Sequence, residues 1–437
     1  MRVRARRLAF GLALTTCAWG EDFLTSGAGA RTRGTAGVYA PWTESALDAM
    51  AVNPAGLTLL GGPVIEVSTA AMFARGTFQN AANSDGKLNA NGAIPFGAFG
   101  MPIGKSRFTL GFAATPELMS AARWRYTDAP GGAGGVSYGT LDHRSEIFAM
   151  RTSAGVGVHV NSKLQLGFTV GALYNTNRLR TAYVFQNHPA LAGLKTSLDL
   201  KTNGVGWNGS VGAIVSPTKK LNFGVAYKTR TTVASKGLAT GNIGVQLAAI
   251  GLGAARPDFN YDAQVDNILP QSLTGHVLWH VNTRTRLMAQ TDWVNWRRAF
   301  AHLPVTLTNG DNKDINGVLG TNGINDSIPL HWRNQMTARV GIEQSWRENT
   351  TLRAGYAHGN SPVPGSTLSP LTAAITRDSI TAGAGYRWGR VRVDAAYVLD
   401  PKVSRTTGSS ALRAGEYSNS RVRLGTHAVI ISTTFKL

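Results

Sequence analysis

The sequence predicts an all-β protein, a fourteen-stranded antiparallel barrel that crosses a membrane. Three observations predict it. Short segments alternate apolar and polar residues with period two, their connections switch regularly between very short and long, and no apolar run reaches the ~18 residues of a membrane-crossing helix. In residues 391–399, Val391, Val393, Ala395, Tyr397 and Leu399 share one face, with Arg392, Asp394 and Ala396 on the other. The run before it does the same: Ile380, Ala382, Ala384, Tyr386 and Trp388 oppose Thr381, Gly383, Gly385 and Arg387, and Gly389-Arg390 joins the two. Gly, Thr, Arg and Asp on the second face suit a wet lumen better than a packed core, and apolar-out with polar-in is the transmembrane-barrel pattern. Every backbone N–H and C=O in lipid must be paired internally, so a membrane protein built of strands closes on itself.

The chain starts with Arg2, Arg4, Arg6 and Arg7, then the apolar run Leu8–Thr16, then Ala18-Trp19-Gly20. This order of basic, apolar and small residues is a secretory signal, residues 1–20, cleaved after Gly20. Cys17, the one cysteine, leaves with it, so the mature chain has no disulfide and no thiol chemistry. Charged residues are 16% of the 437, against roughly 25% in soluble domains. Basic residues number 44 against 24 acidic, a formal +20, and the four signal arginines leave +16 after cleavage. Such an excess points to nucleic acid or an anionic membrane, and export with a strand-rich pattern disfavours nucleic acid. Lys105, Lys163, Lys219, Lys220, Arg284 and Arg286 fall at short turns; Arg178, Arg180, Arg297, Arg298, Arg421 and Arg423 fall at the opposite rim. Rim cations facing outer-membrane lipid and lipopolysaccharide are one reading, and plain solvated charge is the other.

Residues 21–62 are Gly- and Ala-rich without strand period, too long for a loose tail, and sized to fold inside a lumen as a hatch or plug. The barrel then occupies 63–437. Its strands are expected near 63–74, 93–103, 107–124, 142–160, 164–182, 200–216, 220–236, 262–281, 285–299, 331–344, 350–358, 378–388, 391–399 and 421–437. The clearest hairpin alternates Ala154, Val156, Val158 and Val160, turns at Asn161-Ser162-Lys163, and resumes with Leu164, Leu166, Phe168 and Val170. Long connections are expected near 75–92, 125–141, 183–199, 237–261, 300–330, 359–377 and 400–420, rich in Gly, Asn, Pro and Ser. Short periplasmic turns and long extracellular loops produce this asymmetry.

The segment 242–255 breaks the rule for loops: Ile243, Val245, Leu247, Ile250 and Leu252 are apolar, with no charge before Arg256. It is either an exposed binding surface or a short helix capping the barrel. Leu191, Leu194, Ile243, Leu247 and Ile250 are the expected apolar entry surface for a ligand. Arg339 and Arg353 fall on neighbouring strands facing one lumen, placed to meet a ligand carboxylate or to pair with Glu343 and Asp394. His276 and His280 also face inward, without further ligands at metal spacing, so no metal is expected. Trp293, Trp296, Trp388 and Tyr397 near strand ends read as an interfacial girdle. Glycine spacings at 383–389 and 27–34 lack the strand–loop–helix context of a phosphate loop. No nucleophile–base–acid set is present, so neither catalysis nor a cofactor is expected.

The chain resembles the long-chain fatty acid transporter (FadL/TodX) family of outer-membrane channels for hydrophobic compounds. Gly34-Thr35-Ala36-Gly37, Asp48-Ala49 and Asn53-Pro54-Ala55-Gly56-Leu57 carry the resemblance near the N-terminus. Leu269–Leu273, Asp292-Trp293 with Trp296, Leu352–Tyr356 with Ser361–Pro364, and Gly383–Tyr386 with Asp394–Tyr397 continue it in order over nearly the whole mature chain. The resemblance implies a monomeric barrel with a lumenal hatch in the bacterial outer membrane. It also implies passive uptake of hydrophobic small molecules, fatty acids or hydrocarbons, with long-chain fatty acids the first expectation and an aromatic-hydrocarbon importer the second. A structural or lipid-modifying barrel is the alternative from another class. Asn53, Pro54, Ala55 and Gly56 are expected to hold the hatch as a rigid turn, since Pro fixes φ and Gly permits tight turns. Pro116 cannot donate to a ladder, and the resemblance places a kink in the third strand at this point, used as a lateral gap. The plain alternative is a bulge at a strand end. The family's acidic-aromatic loop features are not clear here, and the chain ends in Leu437 rather than an aromatic residue.

Overall fold

A computed structural model of the chain describes residues 29–41 and 44–437. The expected signal 1–20 with Cys17, and residues 21–28 of the expected hatch, lie outside the described residues. Fourteen antiparallel barrel strands follow residue 63. They are β1 Val64–Asn80, β2 Asn83–Pro102, β3 Phe108–Thr127, β4 Thr140–Asn161, β5 Leu164–Val184 and β6 Lys195–Thr218, then β11 Thr350–Gly359, β12 Asp378–Trp388, β13 Val391–Thr407 and β14 Ser420–Lys436. Between these groups lie four strands each split in two: β7 (Leu221–Lys228, Thr231–Asn242), β8 (Asp258–Leu269, Ser272–His280), β9 (Thr285–Val294, His302–Thr308) and β10 (Ile324–Pro329, Gln335–Ser345). The ladder between β1 and β14, from Val64↔Lys436 to Gln79↔Arg421, closes the barrel.

The four breaks fall at one level. Lys228, Ser272, Val294 and Gln335 sit in one cross-strand row, and each break begins directly beyond that row. Pro270, without an N–H, ends one segment of β8, and the one-turn helix α4, Trp296–Ala299, interrupts β9. Below the row, β7–β10 pair in sequence and complete the closed barrel. Above it, their upper segments pair only with one another and with β6. The short helices α3, Gly244–Ala249, and α5, Lys313–Leu319, cover this upper part.

Alternation in the lower barrel follows the sequence reading. Phe168, Val170, Val211, Val225, Tyr386 and Ile431 are exposed on the outer, lipid-facing side, while Thr169, Ser210, Thr381 and Ser432 are buried within. The long connections are shorter than expected because strands continue through them. β1 and β2 run on to a two-residue turn at Ala81-Ala82. In this upper region Phe78, Leu88, Trp124 and Tyr126 are buried on the inner side, and Arg75, Lys87 and Arg125 face out. The polarity is inverted relative to the lipid belt, because the outside is now water. A search for apolar-out strands therefore stops at the membrane edge, and the same inversion hid strand in 300–330 and 400–420.

Candidate functional site

Residues 29–41 and 44–60 pack inside the barrel. Helix α1, Ala30–Arg33, meets β14 through Ala30 N–H donating to Ser432 Oγ at 2.8 Å. Helix α2, Ala46–Ala51, is capped by Ser45, whose hydroxyl accepts from Asp48 N–H at 3.0 Å and donates to Glu66 of β1 at 2.6 Å. Asp48 in turn accepts from Gly29 N–H at 2.9 Å and Thr32 Oγ1 at 2.6 Å, which ties α2 to α1. An ion network bolts the segment to the wall. Glu343 receives Arg31 at 3.0 Å, Arg353 at 2.7 Å and also Arg286; Arg353 reaches Asp394 at 2.9 Å. Arg339 pairs with Asp292 at 2.6 Å and donates to Ala36 O at 2.8 Å. The two arginines expected to meet a ligand carboxylate are thus occupied by carboxylates of the chain and by the N-terminal segment. The alternative pairing, with Glu343 and Asp394, is the one Arg353 makes.

The Asn-Pro-Ala-Gly element has a full structural account. Asn53 is completely buried. Its Oδ1 accepts from Ala55 N–H at 3.1 Å and caps the 3-10 helix Pro54–Leu59, with Pro54 at the first helical position. Its Nδ2 donates to Ala213 O at 3.2 Å and Val225 O at 3.3 Å and lies 3.0 Å from His276 Nε2. The N-terminal segment reaches the wall this closely where the strands lack a Cβ: one added at Gly167 would lie 2.3 Å from Pro54 C, and one at Gly212 2.0 Å from Asn53 Oδ1. Gly56 passes under the Tyr39 hydroxyl, 1.6 Å from where its own Cβ would stand. This end of the segment lies toward the short-turn end of the barrel, against Gly157 and Gly167 of β4 and β5.

Toward the long-loop end lies an apolar cavity of about 140 Å³. Leu303 and Val305 of upper β9, Ile328 of upper β10, Leu179 and Tyr183 of β5, and Trp332 contribute to its lining. Its floor is the aromatic cluster at the strand breaks: Phe300 and Trp332 have ring centroids 4.8 Å apart, and Trp296 packs 5.1 Å from Trp332. Trp296 is therefore not part of an interfacial girdle; it is fully buried, with Nε1 donating to Gln335 at 3.1 Å. Trp388 and Tyr397 are exposed on the lipid side. Tyr183, Leu303, Val305 and Ile328 came from regions expected to be loop, although Leu303, Val305 and Leu307 alternate and were a readable strand signal.

The expected entry surface is placed differently. Leu191, Ile243 and Leu247 are buried, and Leu194 is partly buried, in a satellite core with Phe185, Leu198 and Phe259. Ile250 alone of this set is exposed. The segment has taken the capping-helix form, as α3, with its apolar side turned down onto β6 and β8, so these residues hold the loops together and none of them lines the cavity.

The third element is an unpaired seam. β2 and β3 pair from Gly97↔Ala114 to Pro102↔Thr109 and again at Leu88↔Trp124 and Lys87↔Arg125, but not between. This leaves residues 89–96 facing 115–123, eight against nine. The extra residue is Glu117: the β3–β4 ladder skips it between Pro116↔Met150 and Leu118↔Ala149, a β-bulge. Glu117 pairs with Lys228, across the lumen at the strand-break row, at 2.8 Å. Residues 115–122 are all buried, whereas the strand before them alternates, so β3 is drawn inward here. Ser120, from the middle of the seam, lines the apolar cavity. Pro116 lies beside this bulge, near the start of the unpaired stretch.

Solved structures share this architecture. The chain aligns with a Pseudomonas aeruginosa FadL homologue at 18% identity and TM-score 0.74, covering 96% of this chain and 100% of that one. It aligns with the Pseudomonas putida toluene transporter TodX at 19% identity and TM-score 0.75, covering 95% and 100%. A monoaromatic hydrocarbon channel, CymD, aligns at 17% identity and TM-score 0.66, covering 94% and 98%. No curated protein matches the chain by sequence. The model of the outer membrane protein transport protein family (OMPP1/FadL/TodX) matches residues 11–437. With a closed fourteen-stranded barrel and nearly its whole length matched, the chain belongs to the OMPP1/FadL/TodX family of outer-membrane transport proteins for hydrophobic compounds.

Proposed function

We propose that this protein admits small hydrophobic compounds, of about the size of one aromatic ring, and releases them sideways into the outer membrane. The cavity carries the reading. At about 140 Å³ it matches the ~150 Å³ apolar cavity known to hold benzene, and an extended long acyl chain would have to widen it. Arg339 and Arg353, the arginines first expected to greet a fatty-acid carboxylate, have partners of their own. The names of TodX, a toluene transporter, and CymD, a monoaromatic hydrocarbon channel, support the same class. A compound leaving the cavity past Ser120 meets the seam between β2 and β3 and enters lipid without crossing water. Residues 29–41 and 44–62 act as a hatch that blocks the axial route, and Asn53, Pro54, Ala55 and Gly56 hold its inner end. The protein works as a monomer, as a passive channel and not an enzyme.

The test is uptake of labelled toluene and labelled oleate by matched cells with and without this protein. Leu303→Trp fills the cavity and should lower toluene uptake at least tenfold at equal surface expression. Oleate uptake that depends on the protein and survives Leu303→Trp would restore the fatty-acid reading. Protein-independent uptake of both would favour a structural or lipid-modifying barrel.

A further inference from the structure

On the outer face of β3–β6, just above the lipid belt, six cations gather: Arg123, Arg125, Arg144, Arg178, Arg180 and Lys201. Strand register makes them neighbours. Arg123 lies directly opposite Arg144, Arg144 opposite Arg180, and Arg178 opposite Lys201. Like charges in directly opposed positions, with Cβ atoms about 5 Å apart, repel and disfavour the sheet. The carboxylates on the same face do not balance them. Glu146 pairs with Arg123 and Arg144, each at 2.6 Å, and Asp142 pairs with Arg125 at 2.8 Å. Asp199 reaches Lys201 at only 3.7 Å. Two guanidinium nitrogens, Arg144 Nε and Arg178 Nε, are buried without a hydrogen-bond partner among the described residues. Both arginines line a depression of about 270 Å³ together with Lys201, Thr176, Asn203 and the one carboxylate there, Glu146, whose two ion pairs go to Arg123 and Arg144. A buried guanidinium nitrogen without an acceptor is costly, and an anion seated in the depression would satisfy two of them.

The height of the patch selects the anion. Outward-facing residues of β5 stay largely apolar from Leu164 to Tyr174. Ten residues at ~3.3 Å, tilted by ~40°, span roughly 25 Å, the height of a barrel's apolar band. Arg178 is four residues beyond Tyr174, about 10 Å further along the membrane normal, which is headgroup depth. It stands on the long-loop side, hence on the outer leaflet, and the strand register places it on the outward face of β5, in line with Lys201.

We propose that this patch binds the phosphate of a phosphorylated glycolipid of the outer leaflet, with Arg144, Arg178 and Lys201 as its donors. The proposal rests on placement in the outer membrane and is independent of which compound is transported. A phosphate here also removes the like-charge repulsion that the register builds in.

The test is binding of bisphosphorylated lipid A to the purified, folded protein in detergent, read by native mass spectrometry and by titration. Juxtamembrane cations contribute roughly fivefold each to anionic-lipid binding, so R144S/R178S/K201S should weaken binding about a hundredfold. Arg178→Gln alone, which leaves every ion pair of the patch in place, should weaken it several-fold and covers the case in which the triple variant does not fold. R297S/R298S, which removes rim cations elsewhere, should bind as the parent does. Dephosphorylated lipid A should bind weakly, and millimolar inorganic phosphate should not displace the bisphosphorylated lipid. Equal binding by parent and by Arg178→Gln or the triple variant would overturn the proposal. So would inorganic phosphate competing as well as the lipid, which would mark a free-anion site.

Discussion

Deleting Glu117 should close the lateral seam. The eight residues 89–96 face nine, 115–123, and removing the bulged residue makes the stretches equal and in register with the paired segments on both sides. In an antiparallel ladder about half the residues of each strand point their N–H and C=O across a given seam. Four facing pairs would then form about eight hydrogen bonds. Pro95 and Pro116 lack donors and remove at most two. At about 1 kcal/mol net each, the zipped seam gains roughly 6 kcal/mol, and at 1.4 kcal/mol per decade its open population falls about ten-thousandfold. Uptake of labelled toluene should therefore drop to that of cells without the protein, with heat-modifiable mobility showing that the barrel still folds. Glu117→Gln keeps the bulge while removing the Lys228 ion pair, and should retain most uptake. Normal uptake by the folded deletion variant would refute lateral exit and favour passage into the periplasm.

Glu343→Ala removes the carboxylate shared by Arg31, Arg286 and Arg353. Stranding buried cations costs about 3–5 kcal/mol, so the denaturation midpoint should fall and single-channel conductance should rise as residues 29–41 loosen; unchanged conductance would separate the hatch from this network. Among the extracellular loops, buried Lys195 bridges Asp128, at 2.8 Å, and Glu416, and burial pushes the Glu416 carboxyl up to about 7 and raises Asp128 in the same direction. A raised acid holds its proton in the closed loops and loses it when they open. Its contribution is therefore complete below about pH 4 and is lost as pH rises to 7. Hydrogen exchange in 128–139 and 413–419, corrected for intrinsic rate, should speed up at least tenfold between pH 5 and pH 8, and Glu416→Gln should flatten the profile; a flat profile in the parent would refute the assignment.

Barrel, strand number and membrane were legible in the sequence because lipid imposes a local rule on every strand. Outward residues must be apolar, backbone groups must be paired, and period two shows both without knowledge of neighbours. Val391–Leu399 needed nothing from the rest of the chain to be read. The Asn53–Gly56 turn was legible as a motif, but its reason was not. Asn53 meets Ala213, Val225 and His276, all more than 150 residues away, and only the closed lumen brings them within reach. Tertiary structure alone decided the cavity, since Leu179, Leu303 and Ile328 become neighbours only because four adjacent strands break at one level. It also decided the seam: Pro116 pointed to a fault in β3, but one extra residue at Glu117 becomes an opening only when β2 and β4 on either side hold fixed registers. Above the membrane the local rule reverses, because water replaces lipid outside, and there the sequence pattern of β1 and β2 ceased to mark strands that the structure carries on for another turn of the barrel wall.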